Sequence, residues 1–168
     1  MKKFWNVQNK VLRLVLLSLF TAAIAVTTAY LSIPNGFGGY IHLGDGIIFM
    51  AAMLLGPAGA ISAGIGSGVA DLLVGFAVYS PATFVIKGIM GALVGVLYRR
   101  KGGALSFMMN IVLFILAEII MVVGYFGYEL ILYGFEGALA GVPANAIQAC
   151  AGIVIGAVFT PFVKKIKL

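Results

Sequence analysis

The chain has 168 residues, 62% of them hydrophobic and 10% charged, with a mean hydropathy of +1.14 and a net charge of +6. Water-soluble domains hold about 45–50% apolar residues, so the composition excludes a soluble domain and points to a membrane protein. One helical crossing takes roughly 20 apolar residues, which leaves room for about six crossings in a single unit, residues 1–168, and for no separate soluble domain.

The first predicted helix covers about Val11 to Ile33. Met1 to Ala25 has the basic start, apolar middle and small-residue end of a secretory signal peptide, but the apolar run continues to Ile33, so a retained helix is expected. Along it, Ser18, Ala22, Ala25 and Ala29 follow at steps of four, three and four, returning within about 40° of one direction. Such a stripe of small side chains lets another helix approach closely in lipid. That helix belongs either to a partner protein or to the same chain.

The helix stops at SIPNGFGG, where Pro34, Asn35 and three glycines read as an outer loop. The stretch GGYIHLGDG follows, with the chain's only histidine, His42, and its first acid, Asp45. Gly36, Gly38 and Gly39 give this loop the freedom to fold back. Asp45 is placed either as a cap for the next helix or as a ligand contact. Helix two, near Leu43 to Leu55, is short for a full span and ends at GPAG, a tight inner turn. Helix three covers about Ala58 to Val74, helix four Pro81 to Tyr98, helix five Ala104 to Tyr125 and helix six Ala138 to Val163. The connection GYFGYELILYGFEG between the last two is long enough to form a lid.

Charge sets the expected topology. Ten of the eleven basic residues fall in three clusters: Lys2, Lys3, Lys10 and Arg13; Arg99, Arg100 and Lys101; Lys164, Lys165 and Lys167. The positive-inside rule puts all three on the cytoplasmic side, which requires an even number of crossings between them. The 85 residues from Leu14 to Tyr98 fit four and the 62 from Gly102 to Val163 fit two. The expected fold is an all-α bundle of six transmembrane helices with both termini inside, and its positive charge reports orientation in a lipid bilayer, with no nucleic-acid partner needed.

The acids lie on the opposite side. Asp45, Asp71, Glu129 and Glu136 map to outer ends or loops, and only Glu118 falls near mid-membrane. Lys87, two turns into helix four, and Glu118 are expensive in lipid, so each faces a partner or a wet cavity. Lys87 either pairs with Asp71 or Glu118 or reaches a ligand. Aromatic residues, among them Tyr40 and Tyr79, crowd the outer side, as the walls of a site for a small flat polar ligand do. Asn145 and Gln148, three apart on helix six, add amides that either contact that ligand or join helices.

Catalysis finds no support. No GxxxxGK[ST] loop, no HExxH and no paired histidines occur, and Cys150 has no second cysteine and reads as a small packed residue, so no metal, cofactor or enzyme is expected.

The segments GGYIHLGDGIIFMAAMLLGPAGAISAGIGSGVADLL and SPATFVIKGIMGALVGVLYRR resemble the S components of energy-coupling factor (ECF) vitamin transporters, in the branch of hydroxymethylpyrimidine and pyridoxine-type members. The resemblance runs over essentially the whole chain. It implies high-affinity capture of a vitamin from outside, and the polar and aromatic residues read above, Tyr40, His42, Asp45, Asp71, Tyr79, Lys87, Glu118, Asn145 and Gln148, are the candidate ligand-binding residues. It also implies docking onto an EcfT-type transmembrane coupling protein and two EcfA-type cytoplasmic ATPases in a prokaryotic plasma membrane, with toppling of the S component carrying the ligand inward. Ser18, Ala22, Ala25 and Ala29 are the candidate docking stripe. A self-sufficient secondary transporter or channel is the competing reading, with Glu118 as its one candidate coupling acid.

Overall fold

The computed structural model describes residues 10–34 and 39–166, and helix dominates them. Expectations on Lys2, Lys3, Asn35, Gly36, Gly38 and Lys167 lie outside the described residues.

Helix α1, Lys10–Tyr30, runs unbroken for 21 residues, about 31 Å. Strands β1, Ser32–Pro34, and β2, Tyr40–His42, follow as a short antiparallel ribbon in which Ser32, Ile33 and Pro34 face His42, Ile41 and Tyr40. A plain loop was expected here. The β-branched pair Ile33–Ile41 lies at the middle of the register, and the breakers Asn35 and Gly36 fall between the strands.

Helix α2, Gly44–Leu55, is joined by a 3₁₀ turn, Gly56–Ala58, to α3, Gly59–Leu73. Gly56 takes φ 63°, a conformation that favours glycine, and Gly59 lies so close to Ala52 that a Cβ there would meet its backbone at 2.7 Å. Helix α4 covers Ser80–Arg100 and crosses the turn tightly: a Cβ on Gly95 would overlap the backbone of Gly56 and Pro57.

Helix α5, Phe107–Lys165, is interrupted at Gly134, whose φ of 73° and ψ of −177° lie outside the helical region. The neighbours across this break are Glu129 with Gly141, Glu118 with Gly152 and Phe114 with Gly156, three pairs each centred on residue 135. Only an antiparallel return gives that pattern, so 107–133 and 135–165 form a helical hairpin. The expected lid is therefore absent from the connection: GYFGYELILYGFEG is helical up to a one-residue reversal. Its apolar and helix-favouring residues keep the helix going, and Gly134 is the residue that admits the break.

Among the described residues, four helical stretches are long and apolar enough to cross a membrane: Lys10–Tyr30, Gly44–Leu73, Ser80–Arg100 and Phe107–Lys165. The core contains Ile24, Ile48, Phe49, Met53, Met90, Phe114 and Met121, with the Phe49 and Phe114 rings stacked at 4.4 Å. Val11, Leu14, Val15, Leu19 and Val26 face outward from α1, as lipid-exposed residues do. Cys150 is exposed, against the expectation of a packed residue, because it projects from the outer face of α5.

The direction of the elements sorts charge by end. The start of α1, the end of α4 and the end of α5 gather Lys10, Arg13, Arg99, Arg100, Lys164 and Lys165 at one end of the bundle. The hairpin, the start of α2, the end of α3, the start of α4 and the Gly134 reversal meet at the other.

Candidate functional site

At that second end lies a small recess, partly open at its mouth, lined by Gly39, Tyr40, His42, Asp71, Tyr79, Thr83, Tyr125, Glu129, Asn145 and Gln148. Six of the nine candidate ligand-binding residues line it: Tyr40, His42, Asp71, Tyr79, Asn145 and Gln148. The other three, Asp45, Lys87 and Glu118, lie buried outside the lining.

Lys87 neither reaches the recess nor pairs with Asp71 or Glu118. Its Nζ donates to Asp45 Oδ1 at 2.6 Å, with both side chains fully buried. Asp45 Oδ2 accepts from Gln148 Nε2 at 2.8 Å, and Gln148 Oε1 accepts from the backbone N–H of His42 at 3.2 Å. The capping reading of Asp45 fails for the same reason: it sits inside the first turn of α2, whose N-terminus has no side-chain cap, and both its oxygens are taken by α4 and α5. One chain of polar contacts thus ties β2, α2, α4 and the second half of α5 together beneath the recess. A buried pair of this kind holds only while its remaining lone pairs are also satisfied, which Gln148 does.

Glu118 stands apart. It is 2% exposed and neither carboxyl oxygen has a hydrogen-bond partner among the described residues. Its Oε1 lies against Gly152 so closely that any Cβ there would collide with it.

Around the recess, tyrosines meet acids. Tyr40 Oη donates to Asp71 Oδ1 at 2.6 Å and Tyr79 Oη to Glu129 Oε1 at 3.4 Å, while Thr83 Oγ1 and Tyr125 Oη are 2.9 Å apart. Burial, with Asp71 alongside, pushes the Tyr40 hydroxyl above its ordinary range, and burial does the same for Tyr79, so both remain donors. Phe76 closes the aromatic wall at 5.1 Å from Tyr40.

His42 is uncharged here. The backbone N–H of Gly44 donates to its Nδ1 at 3.2 Å, so the neutral ring carries its proton on Nε2. Burial, aided by Lys87 and opposed by Asp45, lowers its pKa to about 4. A depressed histidine disfavours the fold once the unfolded chain takes up a proton that the folded one refuses. Stability is therefore expected to fall as pH drops from about 6.5 towards about 4, by roughly 1.4 kcal/mol per unit from this group. Thermal unfolding in detergent across that window should show a shallower loss in His42→Gln; parallel profiles would contradict it.

Thr83, Tyr125 and Glu129 escaped the sequence reading as site residues. Helical spacing held the signal: Tyr79, Thr83 and Lys87 recur every four residues at and along α4, and Met121, Tyr125 and Glu129 do so along α5. The small-residue stripe is split. Ser18 and Ala22 are exposed, Ala29 is half-buried, and Ala25 is turned inward at 8% exposure. Helix α1 lies against α3, where Ser62 Oγ donates to the Leu17 carbonyl and a Cβ on Gly66 would meet Thr21 and Ile24.

Residues 8–167 match the family model described as ECF-type riboflavin transporter, S component. Two relatives align over most of their lengths. An uncharacterized protein from the gap 3′ region of Pyrococcus woesei is 36% identical over 136 residues, 80% of this chain and 89% of the relative. The thiamine precursor transporter HmpT of Lactococcus lactis subsp. cremoris is 32% identical over 156 residues, 91% of this chain and 88% of the relative. A membrane-embedded helical protein matched by that model over nearly its whole length belongs to the ECF-type riboflavin transporter S-component family.

Proposed function

We propose that this protein is the vitamin-capturing S component of an ECF-type importer and binds hydroxymethylpyrimidine, a thiamine precursor, or pyridoxine in the recess. The observation that carries the reading is the recess itself: a polar, tyrosine-lined hollow at the acidic end of an otherwise apolar bundle. Its tyrosine rings with amide and acid groups between them offer both stacking area and hydrogen bonds to a small polar ring. The similarity to HmpT, named as a thiamine precursor transporter, supports the first of the two ligands.

In this reading the bundle crosses a prokaryotic plasma membrane six times: α1, α2, α3, α4 and the two halves of α5. The basic end faces the cytoplasm with both termini, and the recess opens outward. Helix α2, at 12 residues, is too short to cross alone, and its tight packing on α3 supports a tilted or recessed placement. Ser18 and Ala22 offer the exposed part of the docking stripe to an EcfT-type coupling protein, which two EcfA-type ATPases drive. The protein itself catalyses nothing. It holds the ligand while the bundle topples, and the energy comes from its partners.

One observation favours the second reading, a self-sufficient secondary transporter: Glu118 is a buried acid without a hydrogen-bond partner, as proton-coupling residues in membranes are. Reconstitution separates the two. The purified protein in liposomes is expected to bind labelled hydroxymethylpyrimidine but to accumulate none until the coupling protein, ATPases and ATP are supplied. Accumulation by the protein alone under a proton or sodium gradient would overturn the ECF reading.

A further inference from the structure

The polar groups of the recess are unequally spent. Tyr40 and Tyr79 donate their hydroxyl protons to Asp71 and Glu129, and both faces of the Gln148 amide are used in the network beneath. What remains is mainly acceptor. Among the described residues Glu129 Oε2 and Asp71 Oδ2 have no hydrogen-bond partner, and both side chains, 5% and 2% exposed, belong to acids in the lining of the hollow. The Asn145 amide, nine-tenths buried, also faces the hollow without a hydrogen bond to another described residue. The spare donors are that amide's NH₂ and the neutral His42 Nε2–H. No lysine or arginine lines the hollow, because Lys87 is fully buried against Asp45.

A ligand entering such a hollow meets two acid side chains in its lining and, among the described residues, no cation. An anionic group would lose its water and find no charge to pair with, which low-dielectric surroundings penalise heavily. A ring edge bearing N–H or O–H donors would instead satisfy carboxyl oxygens that are otherwise left bare.

We propose that the recess is a charge filter in which Glu129 and Asp71 accept hydrogen bonds from a donor-edged, uncharged or cationic single-ring alcohol, while the phosphate ester of the same alcohol is excluded. The inference rests on the vitamin-capture reading and names the chemistry by which that site selects. Glu129 is its central specificity residue. Gly141 packs against Oε2 so closely that any side chain there would displace the carboxyl, and Tyr79 donates to Oε1, so the group is held from both sides at the wall of the hollow.

The test is a titration of the detergent-solubilised full chain with four probes: hydroxymethylpyrimidine, its monophosphate, pyridoxine and pyridoxine phosphate. At least one free alcohol is expected to bind a hundredfold or more tightly than its ester. Glu129→Gln should weaken that alcohol at least tenfold and shrink the alcohol-to-ester ratio below ten, with Asp71→Asn acting in the same direction. An ester bound as tightly as its alcohol by the wild-type protein overturns the filter and leaves vitamin capture standing. Failure of all four probes to bind removes both. The wild-type ratio decides the matter even where a variant fails to fold.

Discussion

Lys87→Ala is expected to lose about 3–5 kcal/mol of stability, because it strips the paired cation from a carboxylate that is fully buried. Asp45 would then keep one hydrogen bond, from Gln148, and no opposite charge. The damage reaches the recess through that same amide, since Gln148 lines the wall and holds the backbone of His42. Binding of the vitamin should weaken at least tenfold, about 1.4 kcal/mol, although Lys87 lies outside the lining of the recess. Chemical or thermal unfolding in detergent, with ligand titration beside it, measures both effects. The double replacement Asp45→Asn with Lys87→Met removes both charges together and should recover most of the stability. Wild-type stability in Lys87→Ala alone would mean that the pair contributes nothing to the fold.

The second large effect concerns docking. Ala22→Trp places an indole on an exposed part of α1 and should leave vitamin binding within about twofold of wild type while abolishing co-purification with the coupling protein and ATP-driven uptake. Ala25→Trp differs. At 8% exposure Ala25 is already packed, so the larger ring overfills the bundle and costs on the order of 1–3 kcal/mol or more. Uptake at the wild-type rate in Ala22→Trp would place the docking face on another helix.

These two variants mark where the sequence could be read and where it could not. Helix positions and the separation of bases from acids were legible because hydropathy and loop charge act locally and need no knowledge of packing. The recess was legible in outline: aromatic residues and amides betrayed its end of the bundle, and Tyr40, His42, Asp71, Tyr79, Asn145 and Gln148 line it. The partner of Lys87 was not. Asp45 lies 42 residues away on another helix, and choosing it over Asp71 or Glu118 requires the depth of the short α2 beside α4, a property of packing. The division of the stripe on α1 was not legible for a related reason. Periodicity shows that small residues share a face, but which part of that face meets α3 depends on the crossing of two helices. The connection around Gly134 was placed correctly but read as too long, because four glycines in GYFGYELILYGFEG give one loop signal while only the positive φ of Gly134 breaks the helix.

The ion pair between α2 and α4 also bears on how the protein is made. Asp45 leaves the ribosome 42 residues before Lys87, an interval of about 2–8 s at ordinary synthesis rates of roughly 5–20 residues per second. Throughout it the acid has no cation, and its helix of 12 residues cannot hold it in lipid alone. The final packing of α2 against α4 therefore cannot precede the arrival of that lysine.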